Sequence, residues 1–466
     1  MNRTRWMLRA TLRRPSRDRP RPPGPPGRLL LGNVHLLRED PLGALLELRR
    51  RYGDVVRLRF GPMQVVLLAA PRDVQTVLLD RWKDFSKDTR GWEKLRPVLG
   101  DGLLTSDGPL WLRQRRLIQP GFDRRALPDF APAMVAAARG VAERWETAAD
   151  RGEVVDVVSD MMDLALRVVC DTLLGAEAPA EAQAVGRAME TLQGEINHRM
   201  FSLLDVVERL PLPRNRRFAA ELQRLRGMVE TMVESRRRQR GRTEEDLMGR
   251  LLAATDEESG EGMSDVQLRD EIMTLFLAGH ETTANGLAWT FYEWMLHPEA
   301  ADHAAEEAAA VLGGRDPEVA DLKRLGAVLR SFQEGLRLHP PAWISERMAE
   351  VDAEFGGYDV PAGTMILLSP WVTHRHPEHW EEPERFDPER FLPERSGRRH
   401  RYAWFPFGGG PHVCVGRDFA LLEAHLALSV LAPRFRLEPA WEGEVEADAF
   451  VTLRPRGGLP ARVHRR

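Results

Sequence analysis

Cysteine is scarce in this chain, which holds only Cys170 and Cys414 among 466 residues. Two cysteines cannot build the disulfide framework of a small secreted protein. They also cannot supply the four thiolates of an ordinary iron–sulfur cluster. Any metal or cofactor that the protein binds is therefore held by at most one or two thiolates.

Lysine is rare as well, because Lys83, Lys87, Lys94 and Lys323 are the only four in the sequence. Arginine supplies nearly all of the 67 basic residues, and 70 acidic residues leave a net charge of -3. A nearly neutral chain produces no strong overall field that would attract a polyanion. No nucleic-acid partner is expected.

Long apolar runs are missing too. No stretch approaches 18 consecutive apolar residues, so the sequence predicts no transmembrane helix and no membrane anchor. The first 28 residues carry nine arginines and lack the apolar centre of a signal peptide. With the proline-rich run 15–27, they predict a disordered basic arm over 1–28 and one cytoplasmic domain over 29–466.

Hydrophobic periodicity predicts a mainly helical fold with a smaller β portion, an α+β class. Apolar residues at three- and four-residue spacing predict helices over 42–52, 109–119, 129–150, 154–174, 216–240, 265–296, 298–312 and 325–338. Two β-like runs, 55–60 and 64–69, flank Gly61-Pro62 and predict a hairpin. Further β-like runs follow Pro340-Pro341 and close the chain.

The strongest local motif is a glycine-rich segment that leads into Cys414. It reads Phe407-Gly408-Gly409-Gly410-Pro411-His412-Val413-Cys414-Val415-Gly416. Glycines allow a flat ligand to approach the backbone closely. A helix predicted over 418–431 places Cys414 at a helix N-terminus, where backbone N–H groups stabilise a thiolate. A thiolate on a rigid loop is what an axial iron ligand requires.

This segment resembles the haem-binding motif of cytochromes P450, the haem-thiolate monooxygenases. The family pattern is Phe-x-x-Gly-x-Arg/His-x-Cys-x-Gly, and the resemblance makes Cys414 the ligand of iron in haem b (iron protoporphyrin IX). It assigns Phe407, Gly408, His412 and Gly416 to cofactor binding. Arginine is commoner at position 412, so contact of His412 with a haem propionate depends on its protonation. Cys170 lies in an apolar helical stretch and is predicted to be a core residue.

A second motif, Glu334-x-x-Arg337, matches the Glu-x-x-Arg of the same family. Residues three apart share one helix face, so the carboxylate and the guanidinium can pair. In the family, an arginine from a Pro-Glu-Arg-Phe motif joins this pair. The chain has two copies of that motif, and Arg390 is preferred over Arg385. The resemblance implies a structural network that locks the cysteine loop.

The predicted helix 265–296 contains the run Ala278-Gly279-His280-Glu281-Thr282-Thr283. The Thr282 hydroxyl can bond the backbone of residue 278 and bend the helix, which widens a pocket for dioxygen. The resemblance places Ala278 beside the haem. It also makes Glu281 and Thr282 the pair that delivers protons for cleavage of the O–O bond.

Three further residues match positions that bind haem propionates in the family. Trp111 and Arg115 are one helical turn apart and can face one anionic group. Arg347 follows the Pro-Pro turn at the position of another propionate-binding arginine. These residues are therefore expected around the cofactor.

The resemblance implies insertion of one oxygen atom of O2 into a hydrophobic small molecule such as a terpenoid, steroid, fatty acid or macrolide-like compound. By family analogy, the substrate pocket is lined by Leu103, Leu104, Met200, Phe201, Leu275, Trp343, Ile344 and Phe450. Two alternatives stay open: a haem-thiolate peroxygenase, isomerase or dehydratase, and a haem protein without catalytic activity. The acid–threonine pair favours the O2-dependent reaction.

The electrons are expected to come from another protein. The sequence has no G-x-G-x-x-G fingerprint, too few cysteines for an iron–sulfur module, and little chain after Cys414 for a reductase domain. The implied partners are a ferredoxin, or a flavodoxin, and its reductase, which draw on NAD(P)H. A monomer is expected.

Overall fold

The computed structural model describes residues 19–174, 210–238 and 247–466, together with 192, 194–196 and 199. The α-helices in these ranges are α1 (Leu36–Glu39), α2 (Pro41–Tyr52), α3 (Pro71–Gln75), α4 (Arg90–Leu99), α5 (Gly108–Ile118), α6 (Ala131–Arg151), α7 (Val157–Val169), α8 (Pro213–Arg238), α9 (Leu247–Ala253), α10 (Asp265–Leu296), α11 (Pro298–Leu312), α12 (Gly326–Leu338), α13 (Pro370–Thr373), α14 (Pro393–Ser396) and α15 (Arg417–Leu431). No helix within the described ranges combines the length and the apolar character that a bilayer crossing requires.

The longest helix, α10, begins and ends where local sequence signals place its limits. The Ser264 hydroxyl accepts the N–H of Gln267, and the Gln267 side chain binds back to the Ser264 backbone, which completes a capping box. At the other end, Pro298 follows the cap residue His297 and starts a new helix. Most α10 side chains are buried, because the helix packs against α7, α8 and α12. This helix forms one wall of the central cavity.

The strands form small sheets beside the helical body. They are β1 (Val55–Phe60), β2 (Met63–Leu68), β3 (Phe85–Ser86), β4 (Val154–Asp156), β5 (Ser345–Ala349), β6 (Ala353–Phe355), β7 (Tyr358–Val360), β8 (Met365–Leu368), β9 (Phe435–Pro439), β10 (Ala447–Ala449), β11 (Leu453–Pro455) and β12 (Pro460–Arg465). The largest sheet has the order β1-β2-β8-β5-β3. β1 and β2 form the predicted hairpin, and β2 runs parallel to β8. The predicted class, mainly helical with a smaller β portion, is confirmed.

The helix predicted over 154–174 begins three residues later than the periodicity indicates. Val154–Asp156 forms β4, which pairs antiparallel with β12 near the end of the chain, and α7 begins at Val157. The Asp156 side chain accepts the N–H of Val158 and caps α7. A strand partner some 300 residues away leaves no local signal, so the apolar run alone favoured a longer helix.

Residues 19–28, within the arm that the sequence predicts to be disordered, form backbone hydrogen bonds with the strands. The Pro23 carbonyl accepts the N–H of Arg57 at 2.8 Å, and the Pro20 carbonyl accepts that of Asp359 at 3.1 Å. Proline lacks a donor but keeps its acceptor, so this segment can lie along β1 and beside β7. Residues 1–18 lie outside the described part of the chain.

Candidate functional site

The loop that carries Cys414 is held in a tight, glycine-dependent path. Gly408 and Gly410 have positive φ angles of 69° and 62°. A Cβ on Gly410 would lie 1.7 Å from the Leu78 carbonyl oxygen, so no other residue fits there. The N–H of Cys414 donates to the Phe407 carbonyl at 2.9 Å. These contacts fix the direction of the cysteine side chain towards the cavity that it lines.

The environment of Cys414 has opposing effects on its thiol. Burial raises the pKa of Cys414, and this effect outweighs the Gly416 N–H and the positive charges of Arg115 and Arg417, which lower it. The Gly416 N–H thus acts in the direction that the sequence predicts, but burial is the larger effect. α15 begins only at Arg417, and burial dominates at the cysteine. A bound metal cation would reverse this balance.

A cavity of about 620 Å³ lies between the cysteine loop and α10. This volume is in the range of small-molecule and cofactor sites. Each pocket residue named from the sequence that falls in the described ranges lines it: Leu103, Leu104, Leu275, Trp343, Ile344 and Phe450. Met200 and Phe201 lie outside the described residues. The cavity wall is mostly apolar, which suits a hydrophobic occupant.

The α10 side of the cavity carries Ala278, Glu281 and Thr282. The Thr282 hydroxyl donates to the Ala278 carbonyl at 2.7 Å, the bond expected from the sequence. Glu281 is buried, with 5% of its surface exposed. His280 points away, and its Nε2 lies 3.1 Å from the Met162 carbonyl oxygen. A hydroxyl and a carboxyl group thus border the cavity opposite the Cys414 loop.

Positive charge gathers at another part of the cavity wall. Arg115 Nη1 donates to the Val413 carbonyl at 2.8 Å, so this side chain joins α5 to the cysteine loop. Arg347, on β5, donates to the Glu346 carbonyl at 2.7 Å, and burial lowers its pKa to about 10. Both arginines and Lys87 line the cavity. Buried cations of this kind require an anionic partner.

His412 lies among these cations as a neutral ring. Its imidazole stacks on Trp111 with ring centroids 3.8 Å apart. Burial, followed by the charges of Lys87, Arg347 and Arg115, lowers the pKa of His412 to about 2. Its buried Nδ1 has no hydrogen-bond partner among the described residues. A neutral imidazole can still donate one hydrogen bond to an anion.

The residues present fit haem. A thiol faces the cavity from a glycine-rich loop, and Arg115 and Arg347 offer guanidinium groups that would hold the two propionates. The buried, unpartnered His412 Nδ1 supplies a further polar group. These observations would place Cys414 at the iron and the cationic cluster at the carboxylates.

The Glu334–Arg337 pair is buried and reaches the cysteine loop through a histidine. Arg337 donates twice to the Glu334 carboxylate, at 2.8 Å each, and once to the His374 carbonyl at 3.0 Å. Burial lowers the pKa of His374 well below its usual value, so its neutral Nε2 accepts the N–H of Phe405 at 2.9 Å. The network thus supports the chain two residues before Phe407.

Two arginines, Arg390 and Arg385, are the candidates for the third member of this network. Arg390 Nε lies 3.3 Å from Glu334 Oε1, without the alignment of a hydrogen bond. The Arg385 guanidinium instead pairs with Glu382 at the surface and contributes only its backbone carbonyl, which accepts from Arg337. The arrangement agrees with the preference for Arg390.

Sequence reasoning missed Lys87 and Glu271, two buried charged residues beside the cavity. Lys87 lines the cavity with 6% of its surface exposed, and Glu271 on α10 is fully buried. The scarcity of lysine was a usable signal for Lys87, since a rare lysine in an arginine-rich chain indicates a site that needs a compact ammonium. Nothing local distinguishes Glu271 from its neighbour Asp270.

Comparisons with known proteins show the family of this chain. The family profile described as Cytochrome P450 matches residues 22–457. Cyclooctatin synthase of Streptomyces melanosporofaciens is 37% identical, over 89% of each chain. Pentalenene oxygenase of Streptomyces avermitilis is 34% identical, over 91% of this chain and 93% of its own. The crystal structure of the cytochrome P450DA heme domain has a TM-score of 0.87 and 28% identity, over 97% and 99% of the two chains. The chain therefore belongs to the cytochrome P450 family, an oxidoreductase family whose members use haem and O2.

Proposed function

We propose that this monooxygenase oxygenates a cyclic terpenoid. The apolar cavity between the Cys414 loop and α10 carries this proposal. Leu104, Leu275 and Ile344 offer contact area to a hydrocarbon skeleton. Relatives named for pentalenene and for cyclooctat-9-en-7-ol support the same class of substrate.

The residues around the cavity have separate tasks in this proposal. Cys414 would hold the haem iron, and Arg115, Arg347, His412 and Trp111 would hold the propionate side of the macrocycle. When bound, haem supplies the iron at which O2 is activated and oxygen is transferred. The protein groups orient the substrate, exclude water and supply protons.

Proton supply falls to Glu281 and Thr282. The hydroxyl and the carboxyl group border the same part of the cavity, within reach of a small ligand that enters there. Thr282 already donates its proton to the Ala278 carbonyl, so its oxygen lone pairs are available to accept another. This arrangement supports a relay in which Glu281 replenishes the proton that Thr282 passes on.

The electrons would come from a separate ferredoxin or flavodoxin and its reductase, which oxidise NAD(P)H. The described residues offer two thiols, Cys170 in the core and Cys414 at the cavity. Neither the number nor the placement of these thiols suits an iron–sulfur cluster. The protein itself would therefore carry out only the oxygenation step.

The test is a reconstituted assay with a panel of cyclic terpenes, ferredoxin, ferredoxin reductase and NADPH, read by mass spectrometry. The expected product is heavier than the substrate by one oxygen atom, and the label follows ¹⁸O2. Palmitate and a steroid serve as comparison substrates. Oxygenated product from either of these but from no terpene would overturn the substrate class. Product with peroxide alone, and none with the electron chain, would favour the peroxygenase alternative.

A further inference from the structure

The loop over residues 100–106 connects α4 to α5 and presents Leu103 and Leu104 to the cavity. Most loops expose their backbone N–H and C=O groups to water and are mobile. Here side chains from other elements bind the backbone along most of its length. Gln114 donates to the Asp101 carbonyl at 2.8 Å, and Arg96 donates to the Thr105 carbonyl at 3.1 Å.

Lys87 binds the loop from the cavity side. Its ammonium group donates to the carbonyls of Leu103, Leu104 and Ser106 at 3.3, 2.9 and 3.1 Å. A lysine has three donors, so these bonds use all of them. Lys87 therefore acts on the backbone of the loop, and its lowered pKa, due to burial and then to the charge of Arg347, limits its charge.

Glu271 binds the loop from α10. Its Oε2 accepts the N–H of Leu103 at 2.9 Å, and its Oε1 has no partner among the described residues. Asp270, the preceding residue, accepts the N–H of Asp101 at 3.1 Å. The same stretch of backbone is thus held by Lys87 on one side and by the acidic residues Asp270 and Glu271 on the other.

The loop lies directly against α10 between these groups. A Cβ on Gly102 would fall 2.2 Å from the Thr274 hydroxyl oxygen, so only glycine permits this approach. Burial lowers the pKa of Lys87 to about 7 and raises that of Glu271 to about 8, so both groups act here mainly through their hydrogen bonds. Two buried polar side chains bonded to the backbone of one short loop indicate that its position is under tight constraint.

We propose that Lys87 and Glu271 are positioning residues that fix loop 100–106 against the cavity and so set the shape of ligand that the site accepts. The inference rests on the oxygenase class of the protein and is independent of the terpenoid proposal. Loss of either group frees the backbone that carries Leu103 and Leu104. The wall then moves and bulkier ligands enter.

Hydrogen exchange of the haem-loaded protein tests the first half of this proposal and needs no substrate. The amides of residues 103–106 should exchange slowly in the unaltered protein. In Lys87→Met and Glu271→Leu, exchange in this segment should rise at least tenfold. Glu271→Gln keeps an acceptor oxygen for the Leu103 N–H and should stay close to the unaltered protein. Fast exchange at Leu103 in the unaltered protein would overturn the proposal, even if neither variant folds.

Ligand size selectivity tests the second half. The probes are imidazole and a biphenyl-substituted imidazole, with binding followed by the shift of the haem absorption band. Lys87→Met and Glu271→Leu should change the ratio of the two dissociation constants at least fivefold. Lys83→Met is the matched control, since Lys83 lies over Trp82 and outside the cavity lining. An unchanged ratio in both loop variants, with normal haem content, would refute the role. Neither measurement uses a terpene, so both still test this proposal if the protein oxidises no terpene.

Discussion

Thr282 shows how one side chain combines a structural bond with a chemical task. Its hydroxyl donates to the Ala278 carbonyl one turn earlier, a bond of the kind that bends helices. The same hydroxyl borders the cavity beside Glu281. The Thr282 hydroxyl can therefore act in two ways, by shaping the helix and by supplying protons in the cavity.

Replacing Thr282 by alanine should uncouple electron use from product formation. We expect the fraction of NADPH electrons found in oxygenated product to fall about tenfold or more, because the proton donor is lost. Haem content should not change. Thr282→Ser keeps the hydroxyl and should restore most of the coupling. Product and NADPH are measured together in the reconstituted assay.

Thr290 provides the matched control for that experiment. Its hydroxyl makes the same bond one turn back, to the Gly286 carbonyl at 2.8 Å, but it does not line the cavity. Thr290→Ala should therefore leave coupling unchanged. If Thr282→Ala and Thr290→Ala uncouple to the same degree, the hydroxyl of Thr282 serves only the helix.

At the scale of elements, α12 is tied to the segment before the cysteine loop by the buried pair of Glu334 and Arg337. Both side chains are fully buried, and Arg337 also lies 4.9 Å from the Trp380 ring. A buried ion pair adds little net stability compared with apolar packing, but breaking it leaves an uncompensated charge. The network therefore fixes the loop position, and loss of either charged partner should destabilise the fold.

Arg337→Ala should lower the free energy of unfolding by roughly 3–5 kcal/mol, the range for removal of one partner of a buried pair. Arg385→Ala is the control, because Arg385 forms an i,i+3 pair of the same type with exposed Glu382. That change should cost about 0–1 kcal/mol. Chemical denaturation of the haem-loaded protein measures both. Equal losses in the two variants would contradict the assignment of Arg337 as a buried anchor.

At the scale of the whole molecule, Glu293 joins the ends of α10 and α12. Its carboxylate lies 2.6 Å from His339 Nε2 and 3.2 Å from His297 Nδ1. His339 stacks on Trp289 with ring centroids 4.1 Å apart. Burial would raise the pKa of Glu293, but the bonds from the two histidines outweigh it and lower the pKa to about 2. This contact couples global stability to pH.

Because the pKa of Glu293 is lower in the folded protein than in the unfolded chain, acid should destabilise the fold. Glu293 contributes stability above its unfolded pKa of about 4.5, and that stability is lost as the pH falls from about 5 towards 2. The loss should amount to about 3 kcal/mol, since one pKa unit corresponds to about 1.4 kcal/mol. Glu293→Gln should remove this part of the pH dependence, as measured by denaturation between pH 2 and 5. Glu306→Gln, an exposed control on α11, should retain it.

Features that depend on near neighbours along the chain could be predicted from the sequence alone. The glycine path to Cys414, the limits of α10 and the Glu334–Arg337 spacing are all set within a few residues, so periodicity, capping and motif spacing predict them. The bond from Thr282 to residue 278 belongs to the same class. The family resemblance extended these local signals to the cavity, where the described pocket residues lie together.

Contacts that join distant segments become visible only in the folded protein. Lys87 and Glu271 are 184 residues apart and meet at one loop, and β4 finds its partner only in β12. The pKa of Cys414 also depends on burial by the whole fold, which the sequence argument from the helix terminus could not weigh. Such effects are set by distance in space and by exclusion of water, and neither quantity can be read from residue spacing along the chain.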